Sequence, residues 1–308
     1  MRIFIAGGNG ALGRSAIRAL VAAGHDVRAS ARSTAAADLI RACGGRPIAL
    51  NLFDTHRFDE LVAGADAVLN LATKIPRGSE MRDPEAWTDN HRIRRQVSRA
   101  LVDAAIKVGS RRYLQESITY FYADGGDQWL TEASQPDPTP TLASALDAER
   151  EAARFAATGR EAVVLRLAGF YAAYAQSTLD MIEAARDGSY PVFGTGKNYF
   201  STTHVDDAGR AVAAALTTPG GTYNVADDEP LTMWDFVNAM TQAFGLSPPH
   251  NVPKEQATAF LGDASSVVLR SQRVSNQRFK ECSGWMPRYR NAREGWRAIA
   301  DQLCRAVG

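Results

Sequence analysis

The sequence predicts an α/β fold, a doubly wound parallel sheet followed by a smaller C-terminal lobe. Three observations carry that expectation. The chain opens on an apolar run, Ile3-Phe4-Ile5-Ala6, that breaks into glycines spaced by three at Gly7, Gly10 and Gly13. Strand-like apolar runs then alternate with segments of helical periodicity as far as Leu167, the rhythm that sets strands parallel with helices on both faces. From Ala168 onward the composition shifts toward turn formers such as Pro191, Gly194, Gly196 and Pro219. We therefore expect a division into residues 1–167 and 168–308, with strand returns from the C-terminal half.

The elements follow in order. Ile3 to Ala6 is a buried strand, and residues 11 to 23 form a helix whose Leu12, Ala16, Ala19, Leu20 and Ala23 lie along one face. A strand, a tight glycine turn and a helix start make a cradle for a dinucleotide pyrophosphate. Gly7, Gly10 and Gly13 supply freedom in φ, a backbone without Cβ beside the phosphates, and close helix-on-strand packing. Ala11 and Leu12 at the helix start complete the cradle. The second strand, 26–32, lacks the acid that would hold a ribose 2′-hydroxyl and carries Ser30 and Arg32 instead. A carboxylate would repel a 2′-phosphate, whereas a hydroxyl and a guanidinium bind one, so the expected cofactor is NADP(H). A helix at 35–42 and a strand at 47–52 follow, with Asn51 and Leu52 expected beside the adenine. After a helix at 55–63, the strand 67–71 ends at Leu71, Ala72, Thr73 and Lys74, on the carboxyl edge where ligands of such sheets bind. A helix at 90–108, a strand at 111–117, a helix at 143–157 and a strand at 162–167 close this half.

Bulk properties exclude several classes. The 308 residues carry a formal net charge of +1, which argues against nucleic acid as a partner. Arg92, Arg94, Arg95 and Arg99 read as a solvated helix face. No apolar stretch approaches the ~18 residues of a membrane span, and the short N-terminal apolar run leads straight into the glycines. The expectation is a cytoplasmic protein with no membrane attachment. Cys43, Cys282 and Cys304 have no metal-like spacing, so reduced cysteines and no metal are expected.

Taken together, GGNGALG at 7–13, NLAT at 70–73, Asn90 before a long helix, the serine-containing strand end at 116–117 and LRLAGFY at 165–171 resemble the extended short-chain dehydrogenase/reductase superfamily, the NAD-dependent epimerase/dehydratase type. The likeness continues through G-T-G at 194–196, H-V-D-D-A at 204–208, Y-N-V-A at 223–226 and G-W-M-P at 284–287. It implies a Rossmann-type sheet of seven strands and a C-terminal lobe that holds a small-molecule substrate. Family members often dimerise through two long helices, here 90–108 and 143–157. The arginine-rich first helix shows no apolar seam, so homodimer and monomer both stay open.

The family's chemistry normally uses a tyrosine and a lysine four residues later, the lysine lowering the phenol's pKa so that it can relay a proton while hydride moves. Here the pattern fails. Counting from Glu149, the tyrosine place holds Thr141 and the lysine place Ala145. Counting from Tyr122, the strand-end hydroxyl place holds Ile118. No Y-x-x-x-K occurs in the chain. Substitutes are sought among Ser117, Thr119, Tyr120 and Tyr122 on the loop beside the nicotinamide, with Tyr120 the best proton donor and Lys74 as a charge that tunes it or touches the cofactor. His204, in H-V-D-D-A, reads as part of a strand-to-helix junction capped by Asp206 or Asp207. The asparagine and arginine that hold a nucleotide-sugar diphosphate are replaced by Gly169 and Phe200. With Trp129, Phe170, Tyr171, Tyr174 and Tyr199 also expected near the cleft, an apolar or aromatic substrate fits better. Three readings result: an NADP-dependent oxidoreductase for a small carbonyl or alcohol, a redox-neutral epimerase, dehydratase or cyclase, and an NADP(H)-sensing protein without turnover.

Overall fold

Alternation along the first strand sets the layers. Ile3 and Ile5 enter one apolar cluster, Phe4 and Ala6 the opposite one, and all four are fully buried, as the two-residue repeat of a strand covered on both faces requires. The computed structural model describes residues 1–188 and 190–307, and within them the side chains of all but 260, 263, 306 and 307. Its central sheet has seven parallel strands: β1 (Arg2–Ala6), β2 (Asp26–Ala31), β3 (Arg46–Ala49), β4 (Ala67–Asn70), β5 (Arg112–Ile118), β6 (Glu161–Leu167) and β7 (Gly221–Val225). They are ordered β7-β6-β5-β4-β1-β2-β3. β1 lies between β2 and β4, with Ile5 opposite both Ala29 and Leu69. The chain order therefore reverses between β1 and β4, and the crevice outside their carboxyl ends is where such sheets take ligands.

The helices of nine residues or more among the described residues are α1 (Ala11–Ala22), α2 (Thr34–Ala42), α3 (Ser98–Lys107), α4 (Ser144–Ala156), α5 (Gln176–Arg186), α6 (Val205–Ala214), α7 (Met233–Ala243) and α8 (Ala292–Val307). One face of the sheet is covered by α1, α2 and α6, through Leu12, Ile17, Ile40 and Val212. The other is covered by α3 and α4, through Leu101, Ala105, Ala152 and Phe155. α1 and α6 touch where Gly209 meets Ser15 with no room for a Cβ. The helix expected at 90–108 instead runs from Thr88 to Lys107 and opens into a π-type turn at Ile93–Val97. In place of the helix at 55–63 stand a 3₁₀ turn, Thr55–Arg57, and a short helix, Phe58–Leu61.

Past β6 the chain leaves the sheet, returns to it as α6 and β7 with Phe279 and Trp285 packed on the same core, and builds a separate cluster around Tyr171, Phe236, Met240 and Trp296. Among the described residues no helix is long and apolar enough to cross a membrane. All three cysteines are free.

Candidate active site at the carboxyl edge of the sheet

The glycine turn is built for a ligand that needs backbone. Gly7 has φ +88°, a region side chains avoid, and a Cβ there would lie 2.7 Å from Cα and N of Ala72. The turn after β1 is thus pressed against the turn after β4. A Cβ on Gly13 would sit 2.8 Å from Cα of Gly8, and one on Gly8 2.5 Å from Cβ of Ala29. Gly8 is therefore a fourth obligatory glycine; the doubled glycine at the strand end was its signal in the sequence. Gly10 donates its N–H to the Gly7 carbonyl at 3.2 Å. α1 starts at Ala11 with no side-chain cap and no acid in its first turn, so the N–H groups of Ala11, Leu12 and Gly13 are left for an anion.

Ser30 does not present itself as expected. It is buried, and its Oγ accepts the Gly7 N–H at 3.1 Å, so it fastens β2 to the glycine turn. Arg32 is exposed and makes no hydrogen bond or ion pair among the described residues. Asn51 uses its Oδ1 on the Phe53 N–H at 3.2 Å, which shapes the loop after β3, while Leu52 is half-buried. The turn after β4 is held from below: Asn70 accepts from the Ala72 N–H at 3.3 Å and donates to Ser98 and Gln115. Leu71 and Ala72 are buried there, and Thr73 is exposed.

Three of the proposed catalytic groups are engaged elsewhere. Ser117 is fully buried and donates to Glu149 at 2.6 Å. Glu149 forms a two-pronged pair with Arg166, at 2.9 and 2.7 Å, and Arg166 also donates to the Tyr122 hydroxyl at 2.9 Å. Tyr122, itself buried, donates to Asn224 at 2.8 Å. Ser117 and Tyr122 thus belong to a closed polar network between β5, β6 and α4, which removes them as proton donors to a substrate. The Lys74 side chain is 53% exposed, and its ammonium pairs with Asp89 at 2.7 Å, which holds the Asp89 carboxyl below its usual range. It points to solvent rather than to a phenol.

Tyr120 and Thr119 remain. Neither hydroxyl has a hydrogen-bond partner among the described residues, and both follow directly on β5, beside the Leu71–Thr73 turn. The Tyr120 ring stacks on Phe200, centroids 6.1 Å apart, and its hydroxyl sits against Gly169, where a Cβ would overlap it. Burial, and secondarily the nearby Tyr190, pushes the Tyr120 phenol well above its ordinary value. It is a neutral donor, the opposite of a lysine-tuned phenol.

The aromatic expectation divides in the same way. Phe200 and Gly169 stand beside Tyr120. Tyr171 is fully buried in the C-terminal cluster, donating to Asp227 at 3.2 Å and packed on Trp296, so it is core. Trp129 is 45% exposed under the Arg273 guanidinium, which also lies over the Tyr199 ring. Phe170 is half-buried against the α1 side of the core. The junction cap is His204 itself, which accepts the Asp206 N–H at 3.2 Å, while Asp207 takes the N–H groups of Arg288 and Tyr289.

Arg94 departs from the solvated helix face expected for Arg92, Arg94, Arg95 and Arg99: it turns inward and is buried. Arg94, on the π-type turn, and Glu116, one residue before Ser117, lie 3.8 Å apart and are both buried. Nε and both terminal nitrogens of Arg94, and Oε2 of Glu116, have no hydrogen-bond partner among the described residues. Burial raises Glu116 to about 7 in spite of Arg94, with Glu149 adding to the rise. The signal in the sequence was a charge at the inward spacing of Asn90 and Ser98.

Comparison with known proteins fits this geometry. The model of the NAD dependent epimerase/dehydratase family matches residues 3–226. A 3-diazoavenalumate denitrifying reductase of Streptomyces sp. is 30% identical over 96% of this chain and 99% of its own. A 4-hydroxy-2-methyl-3-oxo-4-farnesyl-3,4-dihydroquinoline-1-oxide ketoreductase of Stigmatella aurantiaca is 29% identical over 86% of this chain and 80% of its own. Among solved structures, human epimerase family protein SDR39U1 (isoform 2) with NADPH superposes with TM-score 0.81 at 20% identity, over 98% of this chain and 100% of that one. UDP-glucose 4-epimerase of Thermotoga maritima with UDP-glucose gives 0.82 at 18% identity, over the whole of both chains.

Proposed function

The chain belongs to the NAD dependent epimerase/dehydratase family, and on that premise we propose that it is an NADP(H)-dependent oxidoreductase that reduces a small aromatic or conjugated carbonyl compound. The observation that carries the reading is the unpartnered, neutral Tyr120 phenol, stacked on Phe200 and set against Gly169. The relatives named as a reductase and a ketoreductase support the redox class. Neither Gly169 nor Phe200 offers an anion contact, which weighs against a sugar diphosphate.

The residues present fit a dinucleotide. The glycine turn has no room for side chains, and the uncapped start of α1 suits the pyrophosphate. Arg32 would take the 2′-phosphate, while Ser30 stiffens the turn that receives the adjoining phosphates. Asn51 and Leu52 would border the adenine, and Leu71 to Thr73 the nicotinamide side. When bound, the reduced nicotinamide supplies a hydride to the carbonyl carbon. Tyr120 donates its proton to the carbonyl oxygen, and Phe200 holds the conjugated plane by stacking. Since Tyr120 is only half-buried, solvent can return the proton.

The test is consumption of NADPH and of NADH by the purified protein with a series of aryl ketones, in wild type and Tyr120→Phe. Reduction that favours NADPH and falls by about 10²–10⁴ in the variant is expected, the usual contribution of a positioned general acid. Product without net change in cofactor absorbance would replace this reading by a redox-neutral one. NADPH binding with no turnover of any ketone would leave a sensing protein.

A further inference from the structure

Gln272 ties the loop that carries Tyr120 to the strand that carries Phe200. It lies 150 residues beyond Tyr122 in the chain and is buried. Its amide nitrogen donates to the Tyr120 carbonyl at 3.3 Å and to the Tyr122 carbonyl at 2.7 Å. Its backbone lies beside that of Phe200 in a parallel bridge, and its own N–H donates to the Tyr199 carbonyl at 2.9 Å. Ser201 completes the joint: its hydroxyl donates to the Gln272 carbonyl at 2.8 Å, and its carbonyl accepts the Gly169 N–H at 3.1 Å. Tyr120, Phe200 and Gly169 are thus all fastened to Gln272 or to the serine bonded to it. The two carbonyls are not equally secured. That of Tyr122 also accepts from Arg270 at 3.1 Å, and the Tyr122 N–H is held by the Thr119 carbonyl at 3.0 Å. Loss of the Gln272 amide would therefore free the Tyr120 peptide and leave the turn around it closed.

Building on the carbonyl-reductase reading, we propose that Gln272 is a positioning residue for the reaction: it fixes Tyr120 against Phe200, ring centroids 6.1 Å apart, and so aims the phenol's proton at the substrate oxygen. It acts through Tyr120. A reacting group displaced by about 1 Å loses on the order of 10² in rate, so a tie of this kind bears on kcat. The glycine cradle is built from β1, β2 and β4 and makes no use of Gln272, so cofactor binding should not depend on it.

The experiment uses Gln272→Met, which keeps the length of the side chain and removes the donor, and Gln272→Asn, whose amide is one carbon short. Each is made in wild type and in Tyr120→Phe. Two readouts are taken: kcat and KM with NADPH and acetophenone, and the ring signals of ¹³C-tyrosine-labelled protein by NMR. The Tyr120 signal is the one missing in Tyr120→Phe, and Phe200→Leu shows how far it shifts when the stack is lost. Both Gln272 variants should lower kcat by about 10- to 100-fold, leave KM for NADPH unchanged, and move the Tyr120 signal toward its place in Phe200→Leu. In the Tyr120→Phe background they should add almost nothing. An unmoved Tyr120 signal, a kcat within about threefold of wild type, or a full additional loss in the Tyr120→Phe background overturns the proposal. A rise in KM for NADPH as large as the fall in kcat, or failure of both variants to fold by circular dichroism, makes Gln272 a general support of the fold and overturns it too. If wild type reduces no ketone, the reductase reading fails, and the NMR signal still decides whether Gln272 places Tyr120.

Discussion

Gly169→Ala isolates the position of the Tyr120 hydroxyl from everything else in the protein. Gly169 is not one of the glycines with positive φ, so the backbone accepts alanine without strain. The added Cβ would overlap the Tyr120 hydroxyl and stand 3.1 Å from Cζ of Phe200. To restore ordinary contact the phenol oxygen must retreat by about 1 Å, a misplacement that costs on the order of 10²-fold when the displaced group takes part in the chemistry. The retreat is easy for the fold, because the obstructed atom is the free end of a side chain. Reduced chain entropy offsets the crowding of Phe200, and the melting temperature should move by no more than about 2–4 °C, the equivalent of roughly 1 kcal/mol. The assay is kcat for NADPH-dependent ketone reduction alongside a calorimetric melt. In a Tyr120→Phe background the same substitution should add almost nothing, since the group it displaces is gone. A kcat within about threefold of wild type with an unaltered melt, or a full additional loss in the double variant, would refute the assignment of Tyr120 as proton donor.

The other expectations address the cofactor, the buried acid and the scaffold. Arg32→Ala should raise KM for NADPH by about 10- to 150-fold relative to NADH, the loss of about 1.5–3 kcal/mol from a bond to a charged group; an unchanged NADPH/NADH ratio would show that Arg32 does not read the 2′-phosphate. Glu116, raised from 4.5 to about 7 by burial, contributes stability that is complete below about 4.5 and is lost as pH rises through 7. Urea unfolding should therefore lose up to about 1.4 kcal/mol per pH unit across that window, and Glu116→Gln should flatten the decline; an identical slope in the variant would exclude Glu116 as its source. Arg166→Met leaves the buried Glu149 carboxylate without its cationic partner, with only the Ser117 hydroxyl among the described residues still donating to it, and the Tyr122 hydroxyl with Asn224 alone; it should cost about 3–5 kcal/mol, part of which Glu149→Gln in the same chain restores. Urea midpoints of the three proteins check this.

What could be read before folding was what depends on neighbours in sequence. The glycine cradle is such a feature: a φ requirement at Gly7 and an apolar run before it are local, and the structure uses them as expected. The alternation of strands and helices is local too, and the sheet order follows from it with little freedom left. Side-chain direction at the edge is different. Ser117 and Tyr122 carried the right chemistry in the right loop, yet Glu149 and Arg166, 32 and 44 residues away, take their hydroxyls. Lys74 answers to Asp89, the second residue of the following helix, and Ser30 to a backbone N–H at the end of the adjacent strand. Tyr171 and Trp129 separated because Tyr171 points into the C-terminal core while Trp129 finds a guanidinium at the surface. Strand periodicity gives no weight to such long-range partners, so a polar residue at a strand end reads the same whether it faces a ligand or a buried arginine.

The loss of the tyrosine–lysine pair has a directional consequence. A phenol lowered by a neighbouring ammonium can take a proton as readily as give one, and serves alcohol oxidation as well as carbonyl reduction. Tyr120 has no ammonium beside it among the described residues; Lys74 is held by Asp89, and burial drives the phenol upward. Such a group gives a proton to an alkoxide formed by hydride transfer, since that alkoxide is the stronger base, but at neutral pH it cannot accept one from an alcohol. On the carbonyl-reductase reading proposed for this site, the arrangement therefore favours reduction. Its rate should stay level as pH rises from neutral into the mildly alkaline range, where Tyr120 is still protonated, whereas oxidation of the corresponding alcohol should remain slow throughout. Measured in both directions at matched cofactor saturation, an oxidation rate comparable to the reduction rate at neutral pH would mean that a base other than Tyr120 reaches the substrate.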